Sequence, residues 1–135
     1  MSPSSALQAA IHARLSADPA VQAVLGNPAR LHDRALDDAV FPYAVHARIE
    51  SRIADASEAP ASEHVVTMHV WSRHGGAREA QATLEAMRLS LHGAPLSLAG
   101  HRLVLLYAVY TDVFRTLDQR THFGVLRLKA VSEPL

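Results

Sequence analysis

Histidine is the residue type that most invites a chemical interpretation of this sequence, because the chain contains nine of them. The tightest group is His64, His69 and His74, spaced at intervals of five residues. Residues five apart in a β-strand point to opposite faces, so His64 and His69 cannot converge on one metal ion. His74 lies beyond the end of the predicted strand. With no HExxH motif and no His-x-His pair, we expect no metal site and interpret the histidines as surface or interface residues.

A serine and a histidine also stand beside two glycines in the segment SRHGG, residues 72–76. This is not the GxSxG elbow of hydrolases, and residues so close in sequence rarely place a base against a hydroxyl. The glycines precede a predicted helix, whose first N–H groups could hold an anion. Neither GxGxxG nor GxxxxGK[ST] is present, and a strand-to-helix turn with positive φ accounts for both glycines.

Asp37 and Asp38 form an adjacent pair of carboxylates in a polar loop. Carboxylates that share acid–base work must face each other across a cleft, which neighbours in a loop usually do not. The chain contains no cysteine, so thiolate nucleophiles and thiolate metal sites are excluded. We therefore expect a protein that is not an enzyme and that holds no cofactor.

Composition describes the kind of protein that carries these residues. The chain has 135 residues, 49% of them hydrophobic and 19% charged, which predicts one globular domain over residues 1–135. Thirteen basic residues balance thirteen acidic ones, which argues against binding nucleic acid or anionic lipid through bulk charge. The first residues lack the features of a signal peptide, and the apolar run LVLLYAV is far too short to span a membrane. We expect a soluble, cytoplasmic protein with no membrane contact.

Helical patterns occur in two parts of the chain. Ser4 or Ser5 is predicted to cap a first helix, and Asp18 followed by Pro19 is predicted to start a short second helix that ends at Gly26. A third helix is predicted over residues 77–92, with Gly93 as its C-cap. The apolar positions at helical spacing are Leu7, Ala10, Ile11 and Leu15 in the first helix and Ala80, Leu84, Met87 and Leu91 in the third.

Alternating patterns predict a brief strand at Leu31 and long strands over residues 43–53, 63–73, 101–115 and 121–131. Residues 54–61, which are small, polar and include a proline, are predicted to form a mobile connection. The order of helix, strands, helix and strands predicts an α+β fold, with a mainly antiparallel, curved sheet and two main helices packed on one face.

The strand predicted over residues 43–53 has one wet face, whereas the strands over residues 63–73 and 101–115 are too apolar on both faces for one side to face solvent. In the strand over residues 43–53, Tyr43, Val45, Ala47 and Ile49 are predicted to face the core, opposite His46, Arg48, Glu50 and Arg52. In the next, Val66, Met68 and Val70 face the core, and Val65, Thr67, His69 and Trp71 face away. In the strand over residues 101–115, one face carries Leu103, Leu105, Tyr107 and Val109, and the other carries Val104, Leu106, Tyr110 and Phe114. A curled sheet or a neighbouring subunit would cover the surplus. The candidate interface residues are Trp71, His69, Tyr110, Phe114 and the two arginines Arg48 and Arg52, for which a solvated face is the alternative.

Several segments together resemble a known family. FPY at residues 41–43 leads into a strand, HVVTMHVWSR at residues 64–73 runs into GGAREA at residues 75–80, and GHRLV at residues 100–104 precedes FGVLRLKA at residues 123–130. In this order and spacing the chain resembles the tail-completion, or tail-terminator, proteins of long-tailed bacteriophages and of phage-like gene transfer agents.

The resemblance implies a structural protein that assembles as a six-membered ring on the last ring of the tail tube. That ring would stop tube polymerisation and dock to the head's connector. Its partners would be copies of itself, the tail tube protein and the head–tail connector or neck protein, with DNA only passing through the lumen. It would assemble in the bacterial host cytoplasm and end in the tail neck of a phage or phage-like particle, and residues 54–61 would become ordered on assembly.

Two other interpretations stay open. A head-side neck or stopper protein has similar size and ring symmetry. A small α+β barrel domain could instead bind a small ligand as a dimer, which requires a closed apolar pocket with convergent polar groups.

Overall fold

Nine helices and strands make up the part of the chain that the computed structural model describes, residues 1–56, 59–73 and 76–135. The helices are α1 (Pro3–Ala17), α2 (Pro19–Leu25) and α3 (Gly76–Leu91). The strands are β1 (Leu31–His32), β2 (Tyr43–Ala56), β3 (Ala59–Ser72), β4 (Ser97–Leu98), β5 (His101–Arg115) and β6 (His122–Pro134).

One curled sheet contains all six strands in the order β1-β2-β3-β6-β5-β4. The short β1 is parallel to β2, and the other neighbouring pairs are antiparallel. The α+β prediction is therefore confirmed, with a mixed sheet and with α1 and α3 as the longer helices.

Capping residues determine where the first two helices begin. The Ser2 hydroxyl accepts a hydrogen bond from the backbone N–H of Ser5 at 3.1 Å, and Pro3 follows in the first turn. The predicted cap at Ser4 or Ser5 is therefore wrong, because both residues already lie inside α1. Asp18 caps α2 as predicted, and its carboxylate accepts from the N–H of Ala20 at 2.9 Å.

The hydrophobic core lies between the three helices and one face of the sheet. The fully buried side chains include Leu7, Ile11 and Leu15 of α1, Met87 and Leu91 of α3, and Met68, Leu126 and Leu128 of the central strands. A Cβ on Gly124 would lie 3.0 Å from Cδ1 of Leu84, so the small residue lets α3 approach β6 closely. None of the helices in the described ranges has the length and apolar character needed to cross a membrane.

The prediction of a connection over residues 54–61 is wrong for the described residues, which continue β2 and β3. Ala54 pairs with Ala61, Asp55 with Pro60 and Ala56 with Ala59, so β2 and β3 extend further than predicted. The antiparallel ladder continues from Tyr43 through these residues, and its backbone pairing outweighs their weak strand propensity. Ser57 and Glu58, in the centre of the predicted connection, lie outside the described residues.

A β-bulge changes which residues of β2 face the core. The register shifts between His46 and Arg48, so Ala47 is an extra residue without a partner on β3. The prediction that Tyr43, Val45, Ala47 and Ile49 share the core face is therefore wrong. Ile49 packs against the core as predicted, together with Ala44, whereas Tyr43 and Val45 point away from it. Two further bulges in β5, between Leu103 and Leu105 and between Ala108 and Tyr110, break the simple alternation predicted there.

Candidate interaction surface

The face of the sheet opposite the three helices, called the open face below, carries rows of side chains across β2, β3, β6 and β5. Pairing registers align partners on one face, so each row follows from the strand pairs. The rows are Tyr43, Trp71, Phe123 and Phe114; Val45, His69, Val125 and Asp112; Arg48, Thr67, Arg127 and Tyr110; Glu50, Val65, Lys129 and Tyr107; and Arg52, Glu63, Val131 and Leu105.

All six candidate interface residues lie on this open face. Trp71 and His69 stand on β3, and the other four, Arg48, Arg52, Tyr110 and Phe114, stand on the flanking strands β2 and β5. Sequence alternation places the arginines apart from the apolar face that includes Tyr43. The bulge at Ala47 brings both groups to the same side of the sheet.

Four aromatic rings form the first row at one end of the open face. The indole of Trp71 stacks on Tyr43, with ring centroids 6.4 Å apart and planes 15° from parallel. Phe123 meets Trp71 at 4.6 Å and Phe114 at 5.2 Å. Tyr43 and Phe123 were not among the predicted interface residues. Their part in the row depends on cross-strand register, which a linear pattern of residues does not contain.

A groove of about 750 Å³ runs along the aromatic row, between the loop of residues 33–42 and the turn of residues 116–121. Its apolar lining includes Leu36, Phe41, Trp71 and Phe114. Leu117 is fully exposed on the rim, and Phe114 is 47% exposed, so the groove is open rather than enclosed. Within the described ranges the buried indole nitrogen of Trp71 has no hydrogen-bond partner.

Asp118 holds the turn that forms one wall of the groove. Its carboxylate accepts hydrogen bonds from the hydroxyl of Thr116 and from the backbone N–H groups of Arg120 and Thr121. These bonds stabilise the charged form and hold the pKa of Asp118 well below its usual value, the Thr116 hydroxyl having the largest effect. Hydrogen bonds within the chain itself therefore hold this wall of the groove in place. On the opposite wall, the guanidinium of Arg73 lies 4.7 Å from the ring centre of Phe41.

His69 separates the aromatic row from the charged rows. Its ring meets Phe123 edge-on at 4.6 Å. Burial lowers the pKa of His69, and the nearby Arg127 lowers it further. The guanidinium of Arg127 in turn lies 5.0 Å from the ring centre of Tyr110. At neutral pH this part of the open face therefore presents a neutral histidine between an aromatic cluster and a cation.

The far rows of the open face mix both signs of charge. Arg48 forms an exposed ion pair with Glu50 at 3.2 Å, and Arg52 pairs in register with Glu63. Arg127 and Lys129 add positive charge on β6, and Asp112, in the adjoining row of His69, adds a carboxylate on β5. A surface of mixed sign suits a protein partner better than a nucleic-acid backbone, which requires a basic surplus.

The two described members of the histidine group, His64 and His69, lie on opposite faces of the sheet, and the buried His64 is not the surface or interface residue that the sequence predicts. His64 lies on the core side of the sheet, where its ring nitrogens contact the hydroxyls of Ser51 at 2.7 Å and Ser132 at 2.9 Å. His69 lies on the open face, as the five-residue spacing predicts, and His74 lies outside the described residues. Across the described residues, no group of three or more His, Asp or Glu side chains could hold a metal ion.

The structure also places the glycines, the serine and the aspartates that the sequence analysis considered for anion binding or catalysis. Gly76 opens α3 with φ of +61°, which agrees with the predicted need for positive φ, and Gly75 lies outside the described residues. The hydroxyl of Ser72 donates to the carboxylate of Glu79 in α3 at 2.6 Å. Asp37 lines the groove, and Asp38 follows it in the same turn.

Comparisons with known proteins agree with this architecture. Residues 9–133 match the family model described as Tail completion protein gp17. None of the curated proteins compared matches the chain. Among solved structures, one chain of a structure described as "Virion of native gene transfer agent (GTA) particle" has the same fold, with a TM-score of 0.86 at 24% sequence identity. The match covers 96% of each chain.

Proposed function

Because the chain belongs to the tail completion protein gp17 family and so has a structural role in a phage-type tail, we propose that it forms a hexameric ring on the tail tube. The ring caps the tube, ends its polymerisation and joins the tail to the head connector. Assembly takes place in the cytoplasm of the bacterial host, and the finished ring stays in the tail neck. The protein acts by binding other proteins and has no enzymatic activity.

The observation that carries this proposal is the open face. Aromatic side chains occupy one end of it, charged side chains of both signs occupy the other, and all three helices pack on the opposite side of the sheet. An apolar patch bordered by polar residues is typical of a protein–protein contact. Copies of the chain and the tube and connector proteins are the partners that would cover it, and DNA would only pass through the ring.

The groove beside Trp71 supports a protein contact more than a small-ligand site. Ligand pockets usually enclose most of the ligand surface. This groove is open along its length, and the fully exposed Leu117 stands on its rim. We therefore assign the groove to the same contact surface as the rest of the open face.

Electron microscopy of particles from the source strain lacking only this protein tests the proposal. The expected result is DNA-filled heads beside detached tails of irregular length, with normal particles restored by supplying the intact chain. Particles of normal tail length in the deletion strain would overturn it and favour the ligand-binding alternative. If the protein purifies with heads rather than with tails, it is a neck or stopper protein instead.

A further inference from the structure

The two long strands nearest the sheet edges are β2 and β5. Each has a stretch of backbone that pairs with no other described strand on its outer side. On the β2 side, β1 pairs only with Ala44 and Val45, and the register leaves residues 46–56 of β2 beyond it. On the other side, β4 pairs only with His101 and Arg102 of β5. An unpaired strand edge presents backbone donors and acceptors that can pair with another chain.

Residues 109–115 are the accessible part of the β5 edge. Nearer its start, the N–H of Gly93 donates to the carbonyl of Leu106, and the N–H of Ala108 donates to Nδ1 of His92. The segment that follows α3 therefore occupies the edge around these two residues. Beyond Ala108 the edge is clear of the described strands and of this segment.

Exposed apolar side chains are concentrated on the same strand. Five large hydrophobic residues of β5 are each between 44% and 52% exposed, namely Val104, Tyr107, Val109, Tyr110 and Phe114. A long apolar edge strand is an association site unless something covers it. A neighbouring strand would pair with its backbone edge and place its own side chains beside these.

Strand direction identifies the partner that fits. Each neighbouring pair among β2, β3, β6 and β5 is antiparallel, so β2 and β6 run one way and β3 and β5 run the other. When copies are repeated side by side around a ring axis, β5 of one copy stands antiparallel to β2 of the next. A second copy of the chain can thus extend the sheet with the same type of pairing that it already contains.

We propose that residues 109–115 of β5 in one copy pair with residues 48–53 of β2 in the next, so that one sheet continues around the ring. This inference rests on the self-association in the proposed function and names the surfaces that carry it. The contact is head-to-tail, because two different edges meet at every interface.

The pairing requires a displacement of the copies along the strands. Within one copy, Phe114 and Tyr110 of β5 share rows with Tyr43 and Arg48 of β2. At Ala44 and Val45, however, β1 already occupies the β2 edge. The two accessible stretches meet only when the neighbour is shifted, and a sheet that closes on itself has such a stagger.

Charge supports this choice of edges. Asp112 lies on the open face of β5, and Arg48 and Arg52 lie on the open face of β2. The shifted antiparallel pairing brings Asp112 of one copy into the row of Arg48, Glu50 and Arg52 of the next, where two cations flank one carboxylate. Among the described residues, Arg48 pairs with the exposed Glu50, and Asp112 accepts a hydrogen bond from the exposed Tyr110 hydroxyl.

Disulfide trapping tests the contact cleanly, because the chain has no cysteine of its own. Asp112→Cys is combined in turn with Arg48→Cys, Glu50→Cys and Arg52→Cys, and each double variant replaces the protein in the deletion strain. A disulfide needs Cα atoms within roughly 7 Å, so the combination that links also reports the register. The expected result is a ladder of linked chains in purified particles, which disappears on reduction.

Two controls define the geometry. A head-to-tail contact links only double variants, whereas a two-fold contact between β5 edges would link Asp112→Cys to itself and overturn the proposal. Gln81→Cys with Arg48→Cys is the matched pair, because Gln81 is exposed on α3, on the side of the sheet opposite the open face that carries Arg48. It should form no ladder.

Particles with normal tails in which none of the three double variants links would overturn the proposal. If the cysteine variants do not assemble, exchanging the charges of Asp112 and the two arginines tests the same contact. Asp112→Arg should prevent head–tail joining, and Arg48→Asp with Arg52→Asp should restore it, so normal joining in Asp112→Arg or failure of the restoration counts against the contact. Irregular tails in the deletion strain without cross-linking would leave the proposed function standing and remove only the edge pairing.

Discussion

The ring of Phe123 meets the indole of Trp71 edge-on, with the two centroids 4.6 Å apart, and this contact ties the central strands β3 and β6 together on the open face. Phe123 also contacts His69 at 4.6 Å and Phe114 at 5.2 Å. It is therefore the centre of the aromatic cluster, whereas Trp71 stands between that centre and Tyr43. The two residues should consequently respond differently to substitution.

Trp71→Glu should abolish the assembly of joined particles, because a carboxylate would replace the indole in the surface that we assign to protein contact. Particle yield and tail attachment, measured by electron microscopy of the complemented deletion strain, check this outcome. Ala82→Glu is the matched control, since it adds the same charge to an exposed position on α3.

Trp71→Phe, which retains an aromatic ring, separates loss of contact from loss of fold and should assemble. Circular dichroism of the purified Trp71→Glu chain should show the same secondary structure as the unmodified chain. Normal particles carrying folded Trp71→Glu would contradict the assignment of this face.

Phe123→Ala should lower the free energy of unfolding by about 2 kcal/mol, less than for a fully buried phenylalanine because the ring is only partly covered. Phe114→Ala should cost roughly half as much, since Phe114 is 47% exposed and shares its row contact with Phe123 alone. Urea unfolding of both variants provides the comparison. Equal losses would show that the cluster is not centred on Phe123.

Much of the fold follows from local patterns. The predicted strand over residues 101–115 has the bounds that β5 has, and the third helix begins and ends within one residue of α3. These segments have strong apolar periodicity and clear ends, such as Gly93 after α3 with φ of +72°. Residues 54–56 and 59–61 lack such a signal, and their strand pairing comes from the neighbouring ladder.

The open face was only partly predictable for a related reason. Alternation within β3 correctly assigned His69 and Trp71 to the side away from the core. No residue type in this segment signals a bulge. The extra residue at Ala47, which reverses the faces of all later residues of β2, could therefore not be predicted from the sequence. The aromatic row needed the register of four strands, which depends on pairing between distant segments.

Arg48→Glu combined with Arg52→Glu should reduce tail attachment, because both side chains lie on the open face that we assign to contacts between proteins. The free energy of unfolding should change by less than about 1 kcal/mol, since exposed ion pairs such as that of Arg48 with Glu50 contribute little to stability. The fraction of heads that carry tails is the measurement.

Lysine at both positions is the conservative control for this double variant. It preserves the charge and should retain most of the attachment, although it lacks the planar guanidinium. Unchanged infectivity or gene transfer in the double glutamate variant would refute a contact role for these arginines and favour the solvated alternative.

Acidification should destabilise the protein partly through His64. Burial lowers the pKa of His64, and the neighbouring His101 lowers it further, so the folded chain holds this ring neutral to lower pH than the unfolded chain does. The unfolded state then binds more protons below pH about 6.5, and stability rises with pH in that range. His64 thus contributes fully above its unfolded pKa, and its contribution is lost as pH falls from there through its folded pKa.

Thermal unfolding between about pH 5 and pH 8 measures this effect, with a largest slope near 1.4 kcal/mol per pH unit for one histidine. His64→Gln can keep hydrogen bonds to Ser51 and Ser132 but does not titrate, so its melting temperature should depend less steeply on pH. Part of the slope should remain, because burial also lowers the pKa values of His46 and His69. An unchanged slope in His64→Gln, or greater stability on acidification of the unmodified chain, would contradict a buried neutral His64.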